Sequence, residues 1–96
     1  MKMIENYKTK KYAKINDKLE KDVESARLLY STSDTTIKEL RMNVMTFQKL
    51  MKYSHEFNKN VEVFEAYRGQ WYTYKNIYIM LDRKMRSNKF ILVIVP

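Results

Sequence analysis

Six consecutive apolar residues, Phe90 to Val95 (FILVIV), constrain the fold of this chain more than any other stretch. Successive side chains of a strand point to opposite faces of its sheet. Phe90, Leu92 and Ile94 therefore share one face, Ile91, Val93 and Val95 share the other, and both faces call for cover from water. Two further runs upstream read as strands, VEVFEAY at 61–67 and YTYKNIYIML at 72–81. The turn between these two falls at Arg68, Gly69 and Gln70, where the chain's only glycine is free to adopt positive φ. The second turn spans residues 82–89 and closes on Ser87 and Asn88, so the three runs predict a β-meander. One helix on each face would shield the last strand completely. A sheet covered on one side only would leave an apolar surface for a partner or for a second copy of the chain.

The residues before the meander supply those helices. Between residues 10 and 30, Tyr12, Ile15, Leu19, Val23, Ala26 and Tyr30 recur every three or four positions, the stripe of an amphipathic helix. Lys14, Lys18, Lys21, Glu24 and Arg27 occupy its other side and read as a solvated face. The same stripe is long enough to serve as a coiled-coil seam between two copies. Residues 1–9 are polar and uncapped and predict a mobile start. Residues 31–34, Ser-Thr-Ser-Asp, compete for backbone hydrogen bonds and should stop the helix.

Two readings then compete. Either a long helix begins near Asp34, with Thr36 and Glu39 as a capping box, or residues 35–42 form a strand and Asn43 caps a shorter helix over 44–57. The β-branched Thr35, Thr36 and Ile37 favour the second. That helix would bury Val44, Phe47, Leu50, Met51, Ser54 and Phe57, turn Gln48, Lys52, His55 and Lys59 outward, and end at Asn58, Lys59 and Asn60. The predicted class is a single α+β domain over 1–96. It has an N-terminal amphipathic helix, then a strand, a helix and a three-stranded meander that together make one mostly antiparallel sheet.

Catalytic parts are scarce. The chain has one histidine, no cysteine, no glycine-rich phosphate loop and neither HExxH nor GxSxG, so the expectation is a non-enzyme with no metal and no cofactor. His55, Glu62 and Glu65 read as solvated charges and Asp82 as a turn residue. The longest wholly apolar run is six residues, too short to span a membrane, and a cytoplasmic location is expected.

Charge is the more informative property. Nineteen Lys and Arg against eleven Asp and Glu leave a formal +8, which favours an acidic partner, although AT-rich coding alone also enriches Lys, Asn, Ile and Tyr. Residues 1–14 hold five lysines against Glu5, a net +4, and residues 82–89 hold four basic residues against Asp82, a net +3. Tyr67, Trp71, Tyr72, Tyr74 and Tyr78 lie between the clusters with Arg68 and Lys75 interleaved, a composition suited to stacking on single-stranded bases. The candidate binding residues are Lys8, Lys10, Lys11, Lys14, Arg68, Trp71, Tyr74, Arg83, Lys84, Arg86 and Lys89. Nucleic acid or a nucleoprotein is the expected partner; a host protein and a homodimer are the alternatives.

The segments RMNVMTFQKLMKYSHEFN and YKNIYIMLDRKMRSNKFILV resemble small accessory proteins of tailed phages and mobile elements over residues 37–95. The shared pattern is a strand, a capped helix with a Thr-Phe-x-x-Leu core, and a strand ending in Asp, followed by a Met-containing turn and a last strand. Here it falls on Asn43, Thr46, Phe47, Leu50, Ile77, Ile79, Asp82, Met85, Phe90 and Leu92. The resemblance implies a viral protein that blocks a host factor such as a CRISPR defence nuclease. The chain is also similar in size and basicity to RelE-type ribonuclease toxins, for which Arg68, Tyr72, Lys75 and Arg83 would be the working residues. Those toxins open with a strand, whereas this sequence predicts an opening helix.

Overall fold

The structure is a computed structural model that describes residues 2–30 and 35–96. A long helix, α1 (Lys2–Leu29), precedes strand β1 (Thr36–Met42), helices α2 (Val44–Tyr53) and α3 (His55–Lys59), and strands β2 (Val61–Ala66), β3 (Gly69–Tyr74), β4 (Ile77–Leu81) and β5 (Phe90–Val95). The strands form one sheet in the order β2-β3-β4-β1-β5. Among the described strands only the β4/β1 pair is parallel. The α+β class and the mostly antiparallel sheet are as predicted.

Four local expectations change. The α1 helix begins at Lys2, where the apolar stripe placed its start near residue 10, because residues 2–9 contain no glycine or proline to break it. Lys8 is drawn down over the Tyr53 ring, 5.5 Å from its centroid, which holds this turn of α1 to α2. The predicted stop at residues 31–34 lies outside the described residues. The helix expected over 44–57 is broken at Ser54, whose extended backbone closes α2 and whose hydroxyl accepts from the Phe57 amide at 3.2 Å to open α3.

The run 72–81 is two strands, not one. Lys75 and Asn76 take φ of 48° and 68°, the left-handed pair of a tight hairpin turn. Finally, β5 does not continue the meander beside β4. It crosses to the far side of β1 and pairs with it antiparallel, through a bulge between Ile37 and Glu39.

That bulge puts Ile37, Leu40 and Met42 in register with Ile94, Leu92 and Phe90 on one face. Ile77, Ile79, Tyr72 and Tyr74 join them, and the core closes with Tyr12, Leu19 and Val23 of α1, Phe47 and Leu50 of α2, and Phe57 of α3. All three helices therefore pack on this front face. The expectation of a helix on each side fails: Ile91 is 50% exposed and Trp71 and Tyr78 are 40% exposed on the back. Register places Phe64, Trp71, Thr73, Tyr78, Met80, Glu39, Arg41, Ile91, Val93 and Val95 there. Phe64, Trp71 and Tyr78 form an aromatic row, with ring centroids 4.2 and 6.3 Å apart. Glu39 is buried in the middle of this face, and its Oε2 accepts from Arg41 Nη2 at 2.9 Å and Nε at 3.0 Å.

Candidate nucleic-acid interface

The α1 stripe turns Tyr12, Asn16, Leu19 and Val23 inward. That rotation leaves Lys10, Lys14 and Lys18, spaced by four, along one flank of the helix. Like charges at this spacing each cost an isolated helix a few tenths of a kcal/mol, about 0.2–0.5. The flank is thus a small energetic expense that packing does not require.

Residues 82–89 come up against that flank because α2 holds them there. The Asn43 side chain caps α2 by accepting from the Met45 amide at 2.7 Å, while its Nδ2 donates to the carbonyls of Met85 at 2.9 Å and Arg83 at 3.3 Å. The buried Thr46 hydroxyl accepts from the Asn88 amide at 2.8 Å. Asp82 tightens the turn from within: its Oδ1 accepts from the Lys84 amide at 2.9 Å and its carbonyl from Met85 at 3.2 Å. Asn88, at φ 63°, then swings the chain into β5.

The result is a pair of adjoining open hollows, about 250 and 500 Å³, between α1 and the start of β5. Lys14, Ile15, Lys18, Asn88, Lys89 and Phe90 line the first; Tyr7, Lys10, Lys11 and Lys14 extend into the second. Together they present five lysines and no carboxylate. Lys18 sits 5.2 Å from the Phe90 ring centre and makes an exposed 3.4 Å contact with Asp22, a pairing worth a few tenths of a kcal/mol, roughly 0.3–0.5. Among the described residues Lys10, Lys14 and Lys89 have no acidic partner within ion-pair distance.

The predicted site residues thus separate into groups. Lys10, Lys11, Lys14 and Lys89 share the groove, and Lys8 is adjacent on Tyr53. Arg83, Lys84 and Arg86 are exposed earlier in the same loop. Arg68 is exposed in the β2/β3 turn, which register places at the same end of the sheet as residues 82–89. The five aromatics separate: Trp71 and Tyr78 stay part-exposed on the back face, and none of the five lines the groove. Tyr74 has no exposed surface: its ring stacks on Phe57 at 5.2 Å and its hydroxyl faces Asn16 Oδ1 at 3.5 Å. Trp71 belongs to the back face, and Tyr72 packs on Phe47 at 4.7 Å.

The four toxin-like residues are also dispersed. Lys75, in the turn at the opposite end of β3 from Arg68, lies 3.9 Å from Glu20. No group of three or more His, Asp or Glu converges among the described residues, and no described helix is long and apolar enough to cross a membrane. Sequence reasoning missed Lys18, Asn88 and Phe90 as parts of the groove. The every-fourth lysine spacing was the available signal for the first; the other two depend on where β5 goes.

Burial pushes the Tyr74 hydroxyl well above the ordinary phenol range, with Glu20, Glu24 and Glu56 adding to the effect. A group so held keeps its proton and is structural. The protein is a basic α+β domain whose sheet carries helices on one face and which has five lysines along one groove. No protein family, curated protein or solved structure matches the chain.

Proposed function

We propose that the protein binds nucleic acid, or the exposed nucleic acid of a nucleoprotein, through the lysine groove between α1 and the β4–β5 loop. One observation carries the reading: Lys10, Lys11, Lys14 and Lys18 of α1 line one groove with Lys89 from the other end of the sequence, and no carboxylate lines it with them. Lysines on a flank spaced by four, facing a loop braced by Asn43 and Thr46, make a charged track that follows a phosphate backbone without reading bases. The resemblance to phage accessory proteins supplies a use for such a track, the masking of a host defence nuclease's nucleic-acid substrate.

Fluorescence anisotropy against labelled single- and double-stranded DNA and RNA, repeated at several salt concentrations, tests it. Binding is expected with a log–log salt slope of roughly −3 to −5, reduced by about one for each of Lys14, Lys18 and Lys89 changed to Gln. Absence of binding at low salt, or a slope indifferent to all three substitutions, would reject the groove.

A further inference from the structure

The two edges of the sheet are not alike. β2 carries Glu62 and Glu65, the kind of charge that keeps edges from pairing with one another. The outer edge of β5 has neither a charge nor a proline from Phe90 to Val95. Its one bulge lies on the β1 side. Beyond the ladder to β1, no backbone hydrogen bond of β5 is found among the described residues, so its outer row of amides and carbonyls is unpaired. Beside this edge runs an open groove of about 330 Å³, lined by Ala26, Leu29, Tyr30, Phe90, Leu92 and Ile94 together with the polar Asp22 and Ser25 of α1. Leu29 is 70% exposed at the last position of α1.

We propose that a second copy of this chain pairs antiparallel along β5, extending the sheet to ten strands, with the copy's Leu92 and Ile94 entering the groove beside Leu29. The occupant must be a strand that is apolar at both parities, since it meets α1 on one side and continues the bare back face on the other. Among the described strands β1, β2 and β3 carry polar or charged residues and β4 is already paired on both sides, which leaves β5 as the free strand of that character. A two-fold axis normal to the sheet matches such a strand to itself, whichever central residue it passes through. The charge distribution agrees. Antiparallel pairing sends the two Lys89 ends, and with them the two lysine grooves, to opposite ends of the interface, about 20 Å apart for six residues at 3.3 Å each. Parallel pairing would bring them side by side.

Six paired residues and one groove from each copy make an interface at the small end of the stable range, so the dimer should be concentration-dependent. Its salt dependence should be the reverse of nucleic-acid binding, because salt screens the repulsion between two +8 molecules while leaving intact a contact made mainly of backbone and apolar side chains. Sedimentation equilibrium of the full chain at low and high salt is the experiment. A monomer–dimer equilibrium that tightens with salt is expected, and it should weaken about ten-fold or more in Leu29→Glu or Val93→Lys.

Leu29 is exposed and Val93 lies opposite Glu39, so neither change should cost the monomer its fold, and circular dichroism checks this. Because the chain has no cysteine, single cysteines at Ile91, Leu92, Val93 and Ile94, with Glu65→Cys as the control, give a second readout independent of those variants. Only the residue on the two-fold axis meets its own copy within disulfide reach, so oxidation should yield a covalent dimer from at least one of the β5 positions and not from position 65. A monomer at every concentration, or preferential crosslinking at position 65 or at a Trp71→Cys on the back face, would overturn the proposal. None of these outcomes depends on whether the groove binds nucleic acid.

Discussion

The front and back of this sheet both carry apolar side chains, more of them on the front, and have opposite fates. The front buries Leu40, Met42, Tyr74, Ile77 and Ile79 under three helices, while the back leaves Ile91, Trp71 and Tyr78 open around a buried Glu39/Arg41 pair. An apolar strand therefore demands cover without specifying where the cover comes from. Helices α1, α2 and α3 touch one another as well as the sheet, and that mutual packing gathers them on one side. The lysine groove follows from the same arrangement, since α1 comes to lie beside Phe90 only because it shares a face with α2.

The sharpest way to break this comparison is to truncate one large side chain on each face. Phe57→Ala, which opens a hole between Phe47 and Tyr74, should cost about 3–5 kcal/mol in denaturant unfolding, and Leu50→Ala about 2–5. Trp71→Ala should cost about 1 kcal/mol, mainly its stack on Phe64. Equal losses would mean that the back face is covered in solution even when the chain is monomeric.

Asn43→Ala should cost about 2 kcal/mol, since it removes a helix cap and both donors to the loop. Asn43→Asp keeps the cap and loses the donors, so weaker anion binding with most of the stability retained would show that the loop's shape matters to the groove.

Thr73 gives a change of opposite sign. Its hydroxyl is buried without a partner on the back face, and Thr73→Val should raise stability by about 1 kcal/mol.

The smallest effect concerns pH. Tyr74 holds its proton far above the phenol's ordinary 10.0, so the folded state binds that proton more tightly than the unfolded chain does. Its contribution is complete below that ordinary value and is lost as pH rises past it. Tyr74→Phe should flatten this alkaline fall in stability, read by urea titrations at increasing pH, and cost about 1 kcal/mol at neutrality for the weak contact with Asn16.

Local signals were legible where a single residue type decides the geometry. The α1 stripe from Tyr12 to Ala26, the Asn43 cap and the strand before it could all be read from spacing and β-branching, because each is settled within a few neighbours. The Lys75/Asn76 turn was hidden because it uses positive φ without glycine, and the apolar run on either side of it looks continuous. The position of β5 could not be read locally. A strand apolar at both parities would suit either side of β1, and its place depends on contacts some 50 residues away in sequence. For the site, the two charge clusters were visible as composition, whereas their meeting depended on Asn43 and Thr46, which read only as parts of a helix start. The aromatics misled because tyrosine and tryptophan serve equally in a core and on a surface. Burial alone separates Tyr74 from Trp71.

The ladder between β3 and β4 holds only two residue pairs, Thr73 with Tyr78 and Tyr74 with Ile77, against six between β2 and β3. Beyond Tyr72 the β2/β3 hairpin therefore leaves the sheet as an arm clamped at its base by Phe47 and Phe57. Amides within it are protected by their own ladder and not by the global fold, so hydrogen exchange should release them as a unit ahead of β4 and β1. Arg68 at the tip is carried on a lever whose angle is set by two tyrosines, and the reach of the positive surface is a mechanical property of that joint.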